Sequence, residues 1–75
     1  EVQNGEGRSD AVVWEKEFIY IFEFKMDGTA KEALSQINSK DYPIAYKNDG
    51  RKIVKVGVNY SSKEKQLTEW IIQEE

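Results

Sequence analysis

Two apolar runs in the first third of the chain predict a pair of β-strands. The first covers residues 10–14 and is short and β-branched, and the second covers residues 18–25 and is rich in aromatic and β-branched residues. The second run begins with consecutive apolar residues, as a strand covered on both faces does. Because only a short polar break at Glu15 and Lys16 separates the runs, we expect them to form an antiparallel hairpin.

A helix is predicted after the second strand. Thr29 and Glu32 have the spacing of a capping box, in which the threonine accepts from a backbone N–H and the glutamate reaches back. Apolar residues then recur at helical spacing as far as Ile37. This pattern predicts a helix that runs to about Lys40, and Pro43 rules out its continuation.

The last part of the chain predicts two further strands. Residues 53–60 are apolar enough to form a central strand. Residues 67–73 are ambiguous, because the spacing of Leu67 and Ile71 fits a helix whereas the alternation around Trp70 fits a strand. We favour a strand, because a short polar turn after a central strand most simply closes a hairpin.

These elements predict an α/β (α+β) domain with the order ββαββ. The helix connects two parallel strands by a right-handed crossover, which places the third strand beside the second. The sheet is therefore mixed and four-stranded, in the order 1-2-3-4, with one helix on one face. The other face is left uncovered, and its apolar residues need a partner, either a second subunit or further parts of a parent protein.

Composition limits the chemistry that the chain can perform. Its 75 residues form a single domain, 1–75, with polar ends that suggest a piece of a longer protein. Because it has no cysteine and no histidine, reactions must depend on carboxylates, lysines, hydroxyls and amides. The net charge of −3 argues against nucleic-acid binding through bulk charge alone. No apolar run is long enough to span a membrane, and the absence of cysteine fits a cytoplasmic location.

A carboxylate–lysine group stands out on the predicted hairpin. Side chains alternate along a strand, so Glu23 and Lys25 share one face and Phe24 points to the other. If Val13 lies opposite Phe18, Asp10 falls opposite Ile21 and therefore on the face of Glu23; a slip of one residue would reverse this. Two acids at that separation can share a Mg²⁺ ion, with the Phe24 backbone carbonyl as a further ligand. Lys25 can then orient a metal-bound water or stabilise phosphate charge.

Several motifs resemble the PD-(D/E)XK nuclease superfamily. They are Gly7-Arg8-Ser9-Asp10, the segment Ile21-Phe22-Glu23-Phe24-Lys25, and a helix that contains Ala33-Leu34-Ser35-Gln36-Ile37. More narrowly, the chain resembles the nuclease-like domain at the C-terminus of bacterial AAA-ATPase-like proteins. The resemblance extends through Gly50-Arg51-Lys52-Ile53-Val54 to Glu69-Trp70. It implies a restriction-endonuclease-like core and Mg²⁺-dependent hydrolysis of nucleic acid.

The resemblance also implies site residues. Asp10, Glu23 and Lys25 correspond to the acids and lysine that hold Mg²⁺, and Gln36 corresponds to an assisting glutamine on the following helix. Ser9 stands where the superfamily name has proline, and Lys40 stands where some branches have tyrosine. The helix and strand with which the superfamily core usually starts have no counterpart, so the core is expected to be truncated at the N-terminus.

Simpler interpretations of the same residues remain open. Glu23 and Lys25 also fit a solvent-facing ion pair, Asp10 fits a turn residue, and Gln36 and Arg8 fit ordinary surface positions. Aromatic residues that offer a stacking platform for bases equally fit core packing: Trp14, Tyr20, Phe22 and Phe24. The most basic stretch fits either a phosphate-binding track or a solvated loop and strand edge: Lys47, Arg51, Lys52 and Lys55. The alternative function is a non-catalytic interaction or regulatory module attached to an ATPase.

Overall fold

The computed structural model describes residues 2–3, 11–40 and 44–75, with the backbone alone at 2–3 and 44–45. Within these residues the elements follow in the order β1 (Val2–Gln3), β2 (Ala11–Trp14), β3 (Phe18–Met26), α1 (Ala30–Ser39), α2 (Ile44–Asn48), β4 (Lys52–Ser61) and β5 (Gln66–Glu74). Neither of the helices described has the length and apolar character that a membrane crossing requires.

The strands form one mixed sheet in the order β1-β2-β3-β4-β5. Strands β3 and β4 are parallel, and the other neighbouring pairs are antiparallel. The four predicted strands correspond to β2 to β5, so their predicted order, with the helix as the crossover between the parallel pair, is confirmed. The structure adds two short elements that the sequence did not indicate, the two-residue strand β1 at one edge and the helix α2 before β4.

The ends of α1 lie where the sequence predicts them. The Glu32 backbone N–H donates to Thr29 Oγ1 over 3.0 Å, which confirms the N-terminal cap. The Glu32 carboxylate accepts from the Thr29 hydroxyl, at 3.2 Å, rather than from the Thr29 backbone N–H. At the other end the Lys40 N–H donates to the carbonyls of Gln36 and Ile37, so the last turn is closed before Pro43.

The final segment is a strand. Residues of β5 pair antiparallel with β4 from Val54–Glu74 to Ser61–Gln66, with an irregularity beside Asn59. The connecting turn has Lys65 at a φ of 56°, and its N–H donates to the Ser61 carbonyl over 2.7 Å. Cross-strand pairing with a central neighbour therefore outweighs the helical spacing of the apolar residues in this segment.

The register of the β2–β3 hairpin differs from the one assumed in the sequence analysis. Val13 lies opposite Tyr20, not opposite Phe18, because the turn is centred on Lys16 and Glu17, one residue later than assumed, where the Glu15 N–H donates to the Phe18 carbonyl over 2.8 Å. The difference is two residues, an even number, so the alternation of faces is unchanged. Val12 therefore points to the same side of the sheet as the odd-numbered residues of β3.

The main core lies between the sheet and the helices. Buried aliphatic side chains from three strands and α1 form one cluster there, and Tyr46 of α2 packs against it: Val12, Ile19, Ile21, Ile37 and Ile53. The backbone of α1 lies directly on β4, since a Cβ atom added to Gly57 would lie 2.5 Å from the Ala30 carbonyl oxygen and 2.6 Å from the Leu34 nitrogen. This close approach fixes the helix over the centre of the sheet.

A second cluster occupies the opposite face. It contains Val54, Val56 and Val58, with half-buried aromatic side chains of β3 packed against them. Both described helices lie on the other side of the sheet, and exposed apolar side chains remain on this face at Phe24, Trp70 and Ile72. The predicted uncovered face is therefore present within the described part of the chain.

Candidate active site

Strand β3 places Glu23 and Lys25 on the helix side of the sheet, as the alternation of strand residues predicts. Their parallel partners on β4 are Gly57 and Asn59, so Glu23 lies beside the point where α1 touches the sheet. Only 5% of the Glu23 surface is exposed. The interpretation of Glu23 as a solvent-facing residue is therefore wrong.

Gln36 joins the two charged side chains. In the orientation of its amide that satisfies both neighbours, the side-chain nitrogen donates to Glu23 Oε2 over 2.9 Å and the oxygen accepts from Lys25 Nζ. A single amide on α1 thus holds a carboxylate and an ammonium group that both come from β3. The interpretation of Gln36 as an ordinary surface residue is wrong, and three of the four predicted catalytic side chains lie together.

Lys40 is a fourth member of this group that sequence reasoning did not select. Its Nζ lies 3.1 Å from Glu23 Oε1, on the carboxylate oxygen that Gln36 does not contact. Gln36 and Lys40 are four residues apart and therefore lie on the same side of the helix end. No local pattern in the sequence identifies Lys40, because its role depends on the fold bringing it to Glu23, which lies 17 residues earlier in the chain.

The contacts described so far do not include the other two predicted metal ligands, Asp10 and the backbone carbonyl of Phe24. Asp10 lies outside the described residues, as does Arg8. The Phe24 side chain points to the opposite face, where its ring stacks on that of Phe22 with centroids 6.1 Å apart. Its backbone carbonyl lies between Glu23 and Lys25 in sequence, and its role as a ligand stays a prediction.

A comparison with known proteins decides the family. A profile of the PD-(D/E)XK nuclease superfamily matches residues 1–70. The chain belongs to this superfamily. No curated protein and no solved structure matches it significantly. The E-x-K segment of this PD-(D/E)XK domain is Glu23-Phe24-Lys25, and its two charged side chains are bridged by Gln36 in the amide orientation that satisfies both.

The superfamily generally uses divalent metal ions, and in the described part of this domain Glu23 supplies one buried carboxylate as a candidate ligand. The Glu23 carboxylate is held by hydrogen bonding at Oε2, and its Oε1 already faces a positive charge. Within residues 11–40 and 44–75, no three acidic side chains gather closely enough to form a complete metal cluster. Mg²⁺ commonly takes one or two carboxylates and keeps several waters, so Glu23 together with one further acid is a sufficient protein contribution.

Other residues with a suggested nucleic-acid role in this PD-(D/E)XK domain have structural contacts instead. The Trp14 ring meets Tyr46 edge to face at 5.0 Å and packs on the main core. Arg51 pairs with Asp49 at 2.9 Å and lies over the Trp14 ring. Lys55 is buried on the helix side, which neither the phosphate-binding track nor the solvated strand edge predicts. The four basic residues therefore do not form one continuous track.

Lys55 belongs to a polar network beneath the C-terminal half of α1. Its Nζ donates to Asn38 Oδ1 over 2.9 Å and lies 3.2 Å from a carboxylate oxygen of Glu75. The Asn38 amide in turn donates to Gln73 at 3.4 Å. Because each of these groups finds a partner from a different element, the network joins α1, β4 and the C-terminal residues.

Proposed function

We propose that this domain hydrolyses phosphodiester bonds of nucleic acid in a Mg²⁺-dependent reaction. The observation that carries the proposal is the convergence of Glu23 and Lys25 on Gln36, which places a buried acid and an ammonium group on one patch of the sheet. Membership of the PD-(D/E)XK nuclease superfamily supports the same chemistry. DNA and RNA are both candidate substrates.

The proposed ligands are the carboxylates of Asp10 and Glu23 and the backbone carbonyl of Phe24. A Mg²⁺ ion held there supplies a more acidic water and neutralises charge on the phosphodiester. Glu23 is oriented for this role by the Gln36 amide on Oε2. Lys25, held by the same amide, directs its ammonium group toward the attacking water and the developing charge on the phosphate.

The test is a cleavage assay on the purified chain with Mg²⁺, using supercoiled DNA, single-stranded DNA and RNA. Glu23→Gln preserves the shape of the side chain but removes its charge, and we expect it to reduce metal-dependent cleavage by about 100-fold or more. Glu17→Gln is the matched control, because Glu17 is exposed in the hairpin turn directly before β3. Circular dichroism of both variants checks the fold. Cleavage that survives in Glu23→Gln would contradict the proposal.

A second candidate is a non-catalytic interaction module attached to an ATPase. The observation that favours it is the apolar face of the sheet, where Trp70 and Ile72 are each more than 60% exposed and Phe24 is about half exposed. An apolar surface of this kind suits docking against another protein. This function requires no bound metal, so absence of Mg²⁺ binding at Glu23 would favour it over hydrolysis.

A further inference from the structure

We propose that Lys40 is a built-in counter-cation that occupies the metal position on Glu23 and must be displaced when a divalent cation binds. The proposal rests on the proposed function, because it assumes that Glu23 is a metal ligand. It goes further, because competition from the Lys40 ammonium group would lower the affinity of Glu23 for a divalent cation.

The Lys40 ammonium group contacts one of the two oxygens of the Glu23 carboxylate. Glu23 has two carboxylate oxygens, and Gln36 donates to one of them, Oε2. The other, Oε1, is 3.1 Å from Lys40 Nζ. A Mg²⁺ ion bound to this carboxylate through Oε1 would lie next to the ammonium group, and the two positive charges would repel each other.

The electrostatic reason for this contact is the burial of Glu23. The side chain of Glu23 is 7% exposed, and a buried carboxylate is costly unless hydrogen bonds and an opposite charge compensate it. In the structure described, Gln36 supplies the hydrogen bond and Lys40 supplies the charge. Lys40 therefore stabilises the same carboxylate that a metal ion would stabilise, which makes the two cations competitors for one site.

The geometry of Lys40 also permits its release. Its backbone is fixed, because its N–H closes the last turn of α1 on the carbonyls of Gln36 and Ile37. Its side chain is 31% exposed, so it approaches Glu23 from the solvent side. Rotation of the side chain into solvent removes the ammonium group from Glu23 without moving the helix or opening the core. Displacement therefore requires only rotation of the Lys40 side chain, which is fast enough for rapid exchange between the ammonium group and a metal ion at Glu23.

The experiment compares Mg²⁺ affinity by isothermal titration calorimetry in the wild type, Lys40→Met and Lys40→Arg. Methionine keeps an unbranched side chain but removes the competing charge, and we expect its Kd for Mg²⁺ to be about tenfold lower than that of the wild type. Arginine keeps the charge, and its Kd should stay close to the wild-type value. Lys31→Met, at an exposed position on the same helix, is the matched control for the loss of one positive charge.

Two further measurements connect the effect to Glu23. The double variant Lys40→Met with Glu23→Gln should lose the gain in affinity. In the wild type, the NMR signals of the Lys40 side chain should move toward those of an exposed lysine as Mg²⁺ is added. This second measurement tests the proposal even if Lys40→Met fails to fold.

The failures of the two proposals are distinguishable. Equal Mg²⁺ affinity in the wild type and Lys40→Met, or weaker binding in Lys40→Met, would overturn the role of Lys40 and leave the metal-dependent hydrolase in place. Absence of Mg²⁺ binding in every variant would overturn both proposals. Tighter binding in Lys40→Met that is lost with Glu23→Gln supports both.

Discussion

At the residue scale, the neighbours of Glu23 determine whether its carboxylate can be charged and how it is oriented. Glu23 is buried, and a buried ionised carboxylate is tolerated only with hydrogen bonds and a nearby positive charge. Gln36 and Lys40 meet these needs from one side of α1. No buried side-chain nitrogen or oxygen lacks a hydrogen-bond partner in the part of the chain that the structure describes. The acid is therefore pre-oriented by a complete set of contacts rather than by a strained conformation.

Asp27 provides a separate residue-scale interaction, at the end of β3. Its Oδ2 accepts from the Ser62 hydroxyl over 2.6 Å, and its Oδ1 accepts from the Ser62 backbone N–H over 2.9 Å. The hydrogen bond from the Ser62 hydroxyl has the larger effect and the one from the Ser62 N–H the smaller, and together they hold the pKa of Asp27 below its ordinary value of 3.8. Because the folded pKa is lowered, this contribution to stability is present above pH 3.8 and is lost as the pH falls through the folded pKa.

Asp27→Asn tests this linkage. Asparagine tolerates the positive φ of 57° at this position, so the substitution removes the charge without straining the turn. We expect the variant to be less stable than the wild type at pH 6, and the difference to shrink as the pH falls toward about 2. Urea unfolding across this range is the measurement, with Glu64→Gln, in the β4–β5 turn that contains Ser62, as the control. A difference in stability that does not change with pH would contradict the account.

At the scale of elements, the contact between α1 and β4 determines where the site forms. Gly57 has no side chain, so the helix backbone lies on the strand, and Ala30 and Ala33 are buried there. This close packing brings the Gln36 side of the helix within hydrogen-bond distance of β3. At the helix start, Glu69 of β5 accepts from the Ala30 N–H over 3.0 Å, which fixes the direction of α1 across the sheet.

Gly57→Ala should therefore destabilise the domain and disturb the site together. The added Cβ meets backbone atoms rather than flexible side chains, so the helix must move away, at a cost of about 1–3 kcal/mol. Chemical denaturation measures the stability, and the NMR signal of the Gln36 side-chain amide reports the site. Gln66→Ala, at an exposed position of β5, is the control for alanine in a strand. Wild-type stability in Gly57→Ala would show that the helix is not held at this contact.

On the scale of the whole molecule, the sheet separates two kinds of surface. The helix side carries the main core and the group around Glu23, and the other face carries the valine and aromatic cluster. The net charge of −3 repels nucleic acid overall. Lys25 and Lys40 are placed locally beside the acid, so the proposed activity depends on a local positive patch and a metal ion rather than on a basic surface.

Much of this arrangement was predictable because it depends on local patterns. The capping residues Thr29 and Glu32 locate α1, and the alternation of strand residues places Glu23 and Lys25 on one face. The crossover rule then orders the sheet. Family motifs added Gln36, which lies within hydrogen-bond distance of both charged residues.

The remaining features depend on contacts that the sequence does not encode locally. The hairpin turn at Lys16 and Glu17 has no glycine or asparagine to indicate its length, so the register was wrong by two residues. Lys40 and Lys55 looked like ordinary surface lysines. They gain their roles only when the fold brings Glu23 and Asn38 within reach, at a separation of 17 residues in each case.

The most direct measurement of the central claim is a Mg²⁺ titration of the ¹⁵N-labelled chain followed by NMR. The account predicts chemical-shift changes that saturate and centre on residues 23–25 and on the side-chain amide of Gln36, and that vanish in Glu23→Gln. Diffuse changes spread over the acidic surface, or the same changes in the Glu23→Gln variant, would contradict a metal site on this carboxylate.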